Sequence, residues 1–268
     1  MSGYDLFRSA TLKIERANQH ISDLDTAFKA FAGGHKYEIV VHGNVKRGEL
    51  FFEIIRLDDL PEGLGPVLGD AIHNLRSALD HAMWQLIGLE QGTRNRQLKF
   101  PTGDTKGKFE AACKGIMTPE QSTNPFLKSL EIYPSGAGEL IYWLGQLDNA
   151  EKHTVITPVV NATSVESIEF IDLNTSKRWL SLDVILMPGA DGRSFIKCDQ
   201  GIGINCNHKF KATLGMFFGD VQGVPNQPVL PTLVHFREAV ADTLREFRRL
   251  VANRDSNLSA SERAQIIG

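Results

Sequence analysis

Residues 69–86 read GDAIHNLRSALDHAMWQL, and this stretch decides how the chain is organised. Apolar residues recur in and just before it at spacings of three and four, at Leu68, Ile72, Leu75, Leu79, Ala82 and Leu86. At about 100° per residue, such positions lie on one side of a helix. The pattern therefore predicts a helix over about 65–88 that buries this side against a core, with Pro66 acceptable in its first turn.

The opposite side of this predicted helix carries an unusual polar face. Asp70, Asn74, Ser77 and His81 follow one another at spacings of four, three and four, and His73, Asp80 and Trp84 lie beside them. Solvated helix faces are commonly filled by Lys and Glu, which favour the helix. Short, chemically versatile side chains are typical of sites that hold a proton, a phosphate or a metal. The alternative is a polar network that only fixes packing.

Three further helices are predicted around this one. Residues 5–31 carry apolar side chains at alternating spacings of three and four, which is a narrow seam of about four heptads, and Gly33 and Gly34 then end the helix. A helix is also predicted over 136–152, and the last one carries its seam from Leu233 to Val251. Pairing the first helix with the last would bury both seams.

Strands are predicted in two places. Residues 37–45 and 49–57 are rich in β-branched and aromatic residues and form a predicted hairpin around 46–48. Further strands are predicted at 155–160, 167–173, 179–187, 194–198 and 209–221, and the glycines of 201–206 are interpreted as a bulge or turn. Residues 92–134 are interpreted as an extended surface crossing with one short helix at about 108–114.

These elements predict one α+β domain over 1–268. Its helical part covers about 1–32, 64–153 and 229–255, and it forms a bundle that includes the long terminal helices. Its β part covers about 36–58 and 154–224 and forms an antiparallel sheet. The alternative is a helical domain with a separate β-sandwich inserted at 154–224.

Composition limits the classes of partner. The chain of 268 residues has 29 Lys and Arg against 32 Asp and Glu, a net charge of −3, so any contact with nucleic acid must come from a local patch. Its apolar stretches are short and its start lacks a leader pattern, which predicts a cytoplasmic protein without membrane contact. Its three cysteines have no CxxC spacing, which favours structural thiols and no Cys-based metal site.

The end of the 136–152 helix supplies a second polar group. The spacing that places Leu140, Leu144 and Leu147 on the apolar stripe also places Glu151 there, and a carboxylate that faces inward needs a partner. Glu151 or His153 is therefore expected to meet the line of Asp70, Asn74 and His81, with Asn149 in support. The alternative is that Asn149, Lys152 and His153 only cap the helix.

Arg76 and His81 form an Arg-x4-His pattern on a helix, which resembles the Arg-x4-6-His motif of the HEPN superfamily. Many members of that superfamily are metal-independent ribonucleases or nucleotide-binding proteins. The resemblance implies that His81 is the general acid and base and that Arg76 holds the phosphate. It also implies that the ligand is RNA or a nucleotide and that no cofactor is required. The site would then form in a homodimer.

The whole stretch from Asp70 to His81 is also similar to uncharacterised bacterial proteins with an HNLRSALDH helix, which carry an Asn-x-Glu/Asp-Lys-His segment further along the chain. Residues 149–153 match that segment. The similarity carries no activity. It suggests that the two segments belong to one site, in which Asp70, His73, Asn74, Ser77, Asp80, Asn149, Glu151 and His153 support Arg76 and His81.

Three other interpretations stay open. Arg76 lies four residues before Asp80, a spacing typical of an ordinary helical ion pair. A metal-dependent hydrolase would need ligands from both segments, because His73 and His81 lie about 12 Å apart along a helix. The third alternative is a non-catalytic regulatory protein that binds another protein. The sequence contains no Walker loop, dinucleotide-binding glycine motif or nucleophile elbow.

Overall fold

Six helices and eight strands are found in the part of the chain that the computed structural model describes, which is residues 5–34, 37–44, 47–56, 60–91, 98–119, 121–152, 156–188, 194–204, 211–219, 221, 223–224 and 226–254. The helices are α1 (Arg8–Gly34), α2 (Leu64–Gln91), α3 (Lys106–Gly115), α4 (Thr123–Ser129), α5 (Glu139–Glu151) and α6 (Val229–Arg254). The strands are β1 (Tyr37–Asn44), β2 (Glu49–Arg56), β3 (Pro158–Asp172), β4 (Arg178–Ile185), β5 (Met187–Pro188), β6 (Ser194–Lys197), β7 (Ile202–Ile204) and β8 (Lys211–Phe218). The chain is therefore an α+β protein, as its sequence predicts.

The chain divides into two compact units. The helical unit contains Met1–Asp23, Val67–Val155 and Pro231–Gly268, and the β unit contains Leu24–Pro66 and Ile156–Leu230. Helix α1 contributes to both, with its residues up to Asp23 in the helical unit. No helix of the described residues is long and apolar enough to cross a membrane.

Within the helical unit, α1 and α6 pair in opposite directions. Phe7 meets Phe247 edge to face with ring centroids 6.0 Å apart. The Arg248 guanidinium donates to Asp5 at 3.1 Å and to the Thr11 hydroxyl at 2.9 Å. These contacts confirm the predicted pairing of the first and last helices. The helices pair because each can bury its narrow apolar stripe against the other.

The 92–134 region contains more helix than its composition suggests. The short helix predicted at about 108–114 is confirmed as α3, which Thr105 caps by accepting from the Lys108 amide. Helix α4 was predicted as part of an extended crossing, and that prediction is wrong. Its Pro125 lies in the first helical turn, where the missing N–H costs nothing, so a proline that suggests a loop is compatible with a helix.

The β unit contains two antiparallel sheets instead of the single predicted sheet. One has the strand order β1-β2-β6-β5, and the other has the order β4-β3-β7 with β8 also paired to β3. Buried side chains from both sheets share one hydrophobic core, among them Leu50, Phe52, Val165, Ile168 and Ile196. The predicted 37–57 hairpin is confirmed in its described part, where Val41 pairs with Phe52.

Strand β3 corrects two further predictions. Residues 158–172 form one long strand where the sequence predicts two, at 155–160 and 167–173. The strand continues because it pairs with β4, β7 and β8, and a shift in register between Ala162 and Ser164 absorbs the irregularity. Residues 202–204, interpreted as a bulge or turn, form β7 against the end of β3, and the turn lies at Gly201, whose φ is 85°.

A buried ion pair connects α2 to α6 in the helical unit. The side chain of Glu90 is only 2 % exposed, and it accepts from Arg254 and from Thr123.

We expect Arg254→Ala to lower the free energy of unfolding by about 3–5 kcal/mol, because Glu90 would keep a buried charge without its cation. Chemical denaturation measures this loss. Arg249→Ala removes an exposed pair with Glu246 and should cost less than about 1 kcal/mol. Equal losses in the two variants would contradict the prediction.

Candidate functional site

Arg76 and Asp80 connect α2 to the segment 98–102. Arg76 is 9 % exposed, and its Nη1 donates to Asp80 Oδ1 at 2.7 Å. The same Oδ1 accepts from the amide of Phe100 at 2.7 Å, while Arg76 Nη2 donates to the Phe100 carbonyl at 3.2 Å. The guanidinium also lies 5.8 Å from the centre of the Phe100 ring. The Arg76–Asp80 ion pair of α2 therefore binds both the amide N–H and the carbonyl of Phe100.

A cavity of about 320 Å³ opens beside this ion pair. We call it the Arg76 cavity. Residues of α2, α3, α5 and the segment 99–102 line it, namely Arg76, Asp80, Lys99, Phe100, Pro101, Thr102, Ala112, Ile116, Gly145, Gln146, Asp148, Asn149 and Lys152. Three cations and two carboxylates are among them. Its volume is at the lower end of the range of small-molecule sites.

Asp148 links the polar face of α2 to the end of α5. Its side chain is 6 % exposed, and its Oδ1 lies 2.8 Å from Nδ1 of His73. Its Oδ2 accepts from Lys152 Nζ at 2.5 Å. The other ring nitrogen of His73, Nε2, lies 3.3 Å from the hydroxyl of Ser77. A buried carboxylate with two partners positions Lys152 at the rim of the Arg76 cavity.

Asp70 and Asn74 lie in a different part of the face. Asn74 is 9 % exposed, its Nδ2 donates to the Asp70 carbonyl at 2.8 Å, and its Oδ1 accepts from Lys13 of α1 at 3.2 Å. The Asp70 side chain is exposed. Asn74 therefore connects α2 to α1, and neither Asp70 nor Asn74 lines the Arg76 cavity.

The predicted residues at the end of α5 separate from one another. Asn149 is exposed and lines the Arg76 cavity. Glu151 is half-buried and packs on α2 at Gly69, where a Cβ would come within 2.4 Å of Glu151 Oε1. A side chain at position 69 would therefore displace the Glu151 carboxylate from this position. His153, the remaining predicted member, lies outside the described residues.

His81 lies on a second cavity. This cavity has a volume of about 340 Å³ and is lined by Ser9, Asp80, His81, Trp84, Gln85 and Leu98. We call it the Trp84 cavity. Arg76 does not line it, so the two residues of the Arg-x4-His pattern face separate cavities that share Asp80. Helix geometry explains this, because positions five apart lie about 140° around the axis.

The pKa of His81 is lowered from its ordinary 6.5. Burial is the main cause, since it penalises the imidazolium, and the positive charge of Lys13 adds to the effect. The negative charge of Asp80 opposes both. The His81 imidazole is consequently neutral at pH 7, the protonation state in which it can accept a proton.

Sequence reasoning missed the three other charged residues of the Arg76 cavity: Lys99, Asp148 and Lys152. A signal for two of them was present, because Ile141, Gly145, Asp148 and Lys152 follow one another at spacings of four, three and four along one face of α5. The Arg76 side chain lies against this face at Gly145, where its Nε is 3.7 Å from the position that a Cβ would take, an ordinary van der Waals distance. Lys99 had no such signal, since its position depends on how the segment 98–102 folds back onto α2.

The described residues contain no group of three His, Cys, Asp or Glu side chains placed to hold a metal ion. His73 and Asp148 are adjacent, but the third residue that interacts with them is Lys152, a cation. Comparison with known proteins adds no assignment: no family model matches the chain, and no curated protein or solved structure is significantly similar to it.

The lowered pKa of His81 predicts a pH dependence of stability. The unfolded chain takes up a proton at His81 near pH 6.5, while the folded chain does so only at lower pH. The unfolded state therefore binds more protons in this window, and the folded state loses stability as the pH falls from 6.5 through the folded pKa. We expect His81→Gln to flatten the dependence of the unfolding free energy on pH between about pH 5 and 7.

Urea denaturation of both proteins across this pH range measures the effect. NMR titration of the His81 ring in the wild-type protein gives the folded pKa directly. Identical pH profiles for the wild type and His81→Gln, or a His81 pKa above 6.5, would contradict the prediction.

Proposed function

We propose that the helical unit binds a phosphate-bearing small molecule of the nucleotide class in the Arg76 cavity. The observation that carries the proposal is the buried guanidinium of Arg76, which lines a cavity together with Lys99 and Lys152. Two of its five N–H groups bind Asp80 and Phe100, and within the described part of the chain the other three make no hydrogen bond. These donors suit the oxygens of a phosphate.

The charge distribution supports a ligand that is both anionic and rich in hydroxyl groups. Among the residues that the structure describes, none forms an ion pair with Lys99, so its charge is available to a phosphate. Asp80 and Asp148 are acceptors that suit the hydroxyls of a sugar. A sugar phosphate matches this combination better than a simple inorganic anion does, because two carboxylates would repel an anion that lacks donors.

Calorimetric titration with nucleoside 5′-monophosphates, ribose 5-phosphate and inorganic phosphate tests the proposal. We expect saturable binding of at least one sugar phosphate, and we expect Lys99→Ala to weaken it roughly tenfold by removing one charge-assisted hydrogen bond. Lys152→Gln should have a similar effect. Lys108→Ala is the matched control, because Lys108 is an exposed lysine on α3 that lies outside the cavity.

Two results would overturn the proposal. One is that no member of the panel binds. The other is that Lys99→Ala and Lys152→Gln bind a sugar phosphate as tightly as the wild type does. Binding should also weaken as salt is added, since the attraction is partly electrostatic.

Metal-independent RNA cleavage is the second candidate function, and the neutral His81 on its own cavity is the observation that favours it. His81 would take the proton from a ribose 2′-OH, and Arg76 would stabilise the phosphate. Within one chain these residues face different cavities, so the reaction would need RNA that spans both or a site shared between two copies.

Incubation of structured and single-stranded RNAs with wild type, His81→Ala and Arg76→Lys proteins, with and without EDTA, tests cleavage. We expect cleavage that persists in EDTA and falls at least about a hundredfold in His81→Ala, the size typical of a lost general base. Light scattering of the active fraction shows whether it is a homodimer. Cleavage that EDTA abolishes would favour the metal-dependent alternative. Intact RNA together with no sugar-phosphate binding would favour a regulatory, protein-binding role.

A further inference from the structure

The Trp84 cavity differs in chemistry from the Arg76 cavity. It lies between the first turn of α1 and the second half of α2, and none of the described residues that line it is an arginine or a lysine. The Asp80 carboxylate at its edge is already bound by Arg76 and by the Phe100 amide. Burial lowers the pKa of His81, so its ring adds no charge at neutral pH. The described part of its lining therefore suits an uncharged ligand.

Two buried polar atoms of this cavity lack partners. Within the described residues, neither Gln85 Oε1 nor Ser9 Oγ has a hydrogen-bond partner, although both atoms are shielded from solvent. Gln85 is 9 % exposed and lies in α2 next to Trp84. Buried polar atoms almost always have partners, because an unpaired one is costly. Two such atoms at one cavity suit a ligand that brings a hydrogen-bonding group.

Trp84 and Leu98 supply the apolar part of the lining. Trp84 is half-buried, and its side chain lines the cavity. Aromatic rings pack well against a second flat ring, in offset or edge-to-face geometry. The terminal torsion of glutamine is soft, so the Gln85 amide can turn its oxygen towards a donor that enters the cavity.

We propose that the Trp84 cavity binds a flat, uncharged aromatic ring that carries an N–H or O–H donor. The ring packs against Trp84, and its donor binds Gln85 Oε1 beside the Ser9 hydroxyl. This site goes beyond the proposed sugar-phosphate site, because its ligand carries no phosphate and Asp80 is the only described residue that lines both cavities. Failure of one site to bind its probes leaves the other untouched.

Indole and 1-methylindole are matched probes for this site, since the methyl group replaces only the donor hydrogen. The chain has three tryptophans, so an NMR spectrum of the labelled protein shows three indole N–H signals, and Trp84→Phe identifies that of Trp84. We expect indole to shift the Trp84 signal saturably and to bind roughly fivefold more tightly than 1-methylindole, the ratio expected for one hydrogen bond.

Gln85→Met tests the role of the amide. Methionine has a similar length and no strong acceptor, so this variant should bind both probes with equal affinity. It should also be at least as stable as the wild type without ligand, because it removes a buried unpaired oxygen. Gln19→Met is the matched control, since Gln19 is exposed on α1 and pairs with Asp23; it should keep the preference for indole.

Three outcomes would overturn the proposal. The first is a Trp84 signal that does not move, or saturable shifts confined to Trp143 and Trp179. The second is equal affinity of the wild type for indole and 1-methylindole. The third is an undiminished preference for indole in Gln85→Met, which would mean that another group accepts the hydrogen bond.

Discussion

The Asp80 carboxylate holds two parts of the helical unit together. One of its oxygens accepts both from Arg76 on the same helix and from the amide of Phe100, and Arg76 in turn binds the Phe100 carbonyl. A chain segment that crosses a helix surface needs partners for its backbone groups, and this ion pair supplies two. Phe100 then packs on Phe247 with ring centroids 6.2 Å apart. Both cavities depend on this arrangement, because residues 98–102 provide walls for each.

Helix α2 separates two kinds of chemistry on its two flanks. The flank towards α5 carries Arg76 and faces lysines and a buried aspartate. The flank towards α1 carries His81, Trp84 and Gln85, and the described residues that line its cavity include one carboxylate, Asp80, and no lysine or arginine. A charged ligand and an uncharged ring are therefore suited to different sides of one helix. Asp80 lies between the two flanks, where its charge is compensated by Arg76.

Much of the fold could be predicted because helical periodicity reports burial directly. The stripe from Leu68 to Leu86 is buried, and the seams of α1 and α6 pair. Predictions failed where pairing overrides local preference. The polar residues in the middle of β3 do not end the strand, since its neighbours supply hydrogen bonds along its length. Pro125 does not exclude a helix, since it lies in the first turn of α4.

The sequence by itself determined the α+β class, the buried side of α2 and the unusual residues opposite it, because each follows from spacing along one element. It also showed Arg76 four residues before Asp80, the spacing of the ion pair that forms. Only the tertiary structure decided that Arg76 and His81 face different cavities and that Asp148, Lys152 and Lys99 join Arg76. The physical reason is that a cavity consists of surfaces from several elements. Periodicity predicts the direction in which a side chain leaves its own helix. The residues that it then contacts depend on how α2 packs with α5, α1 and the segment 98–102.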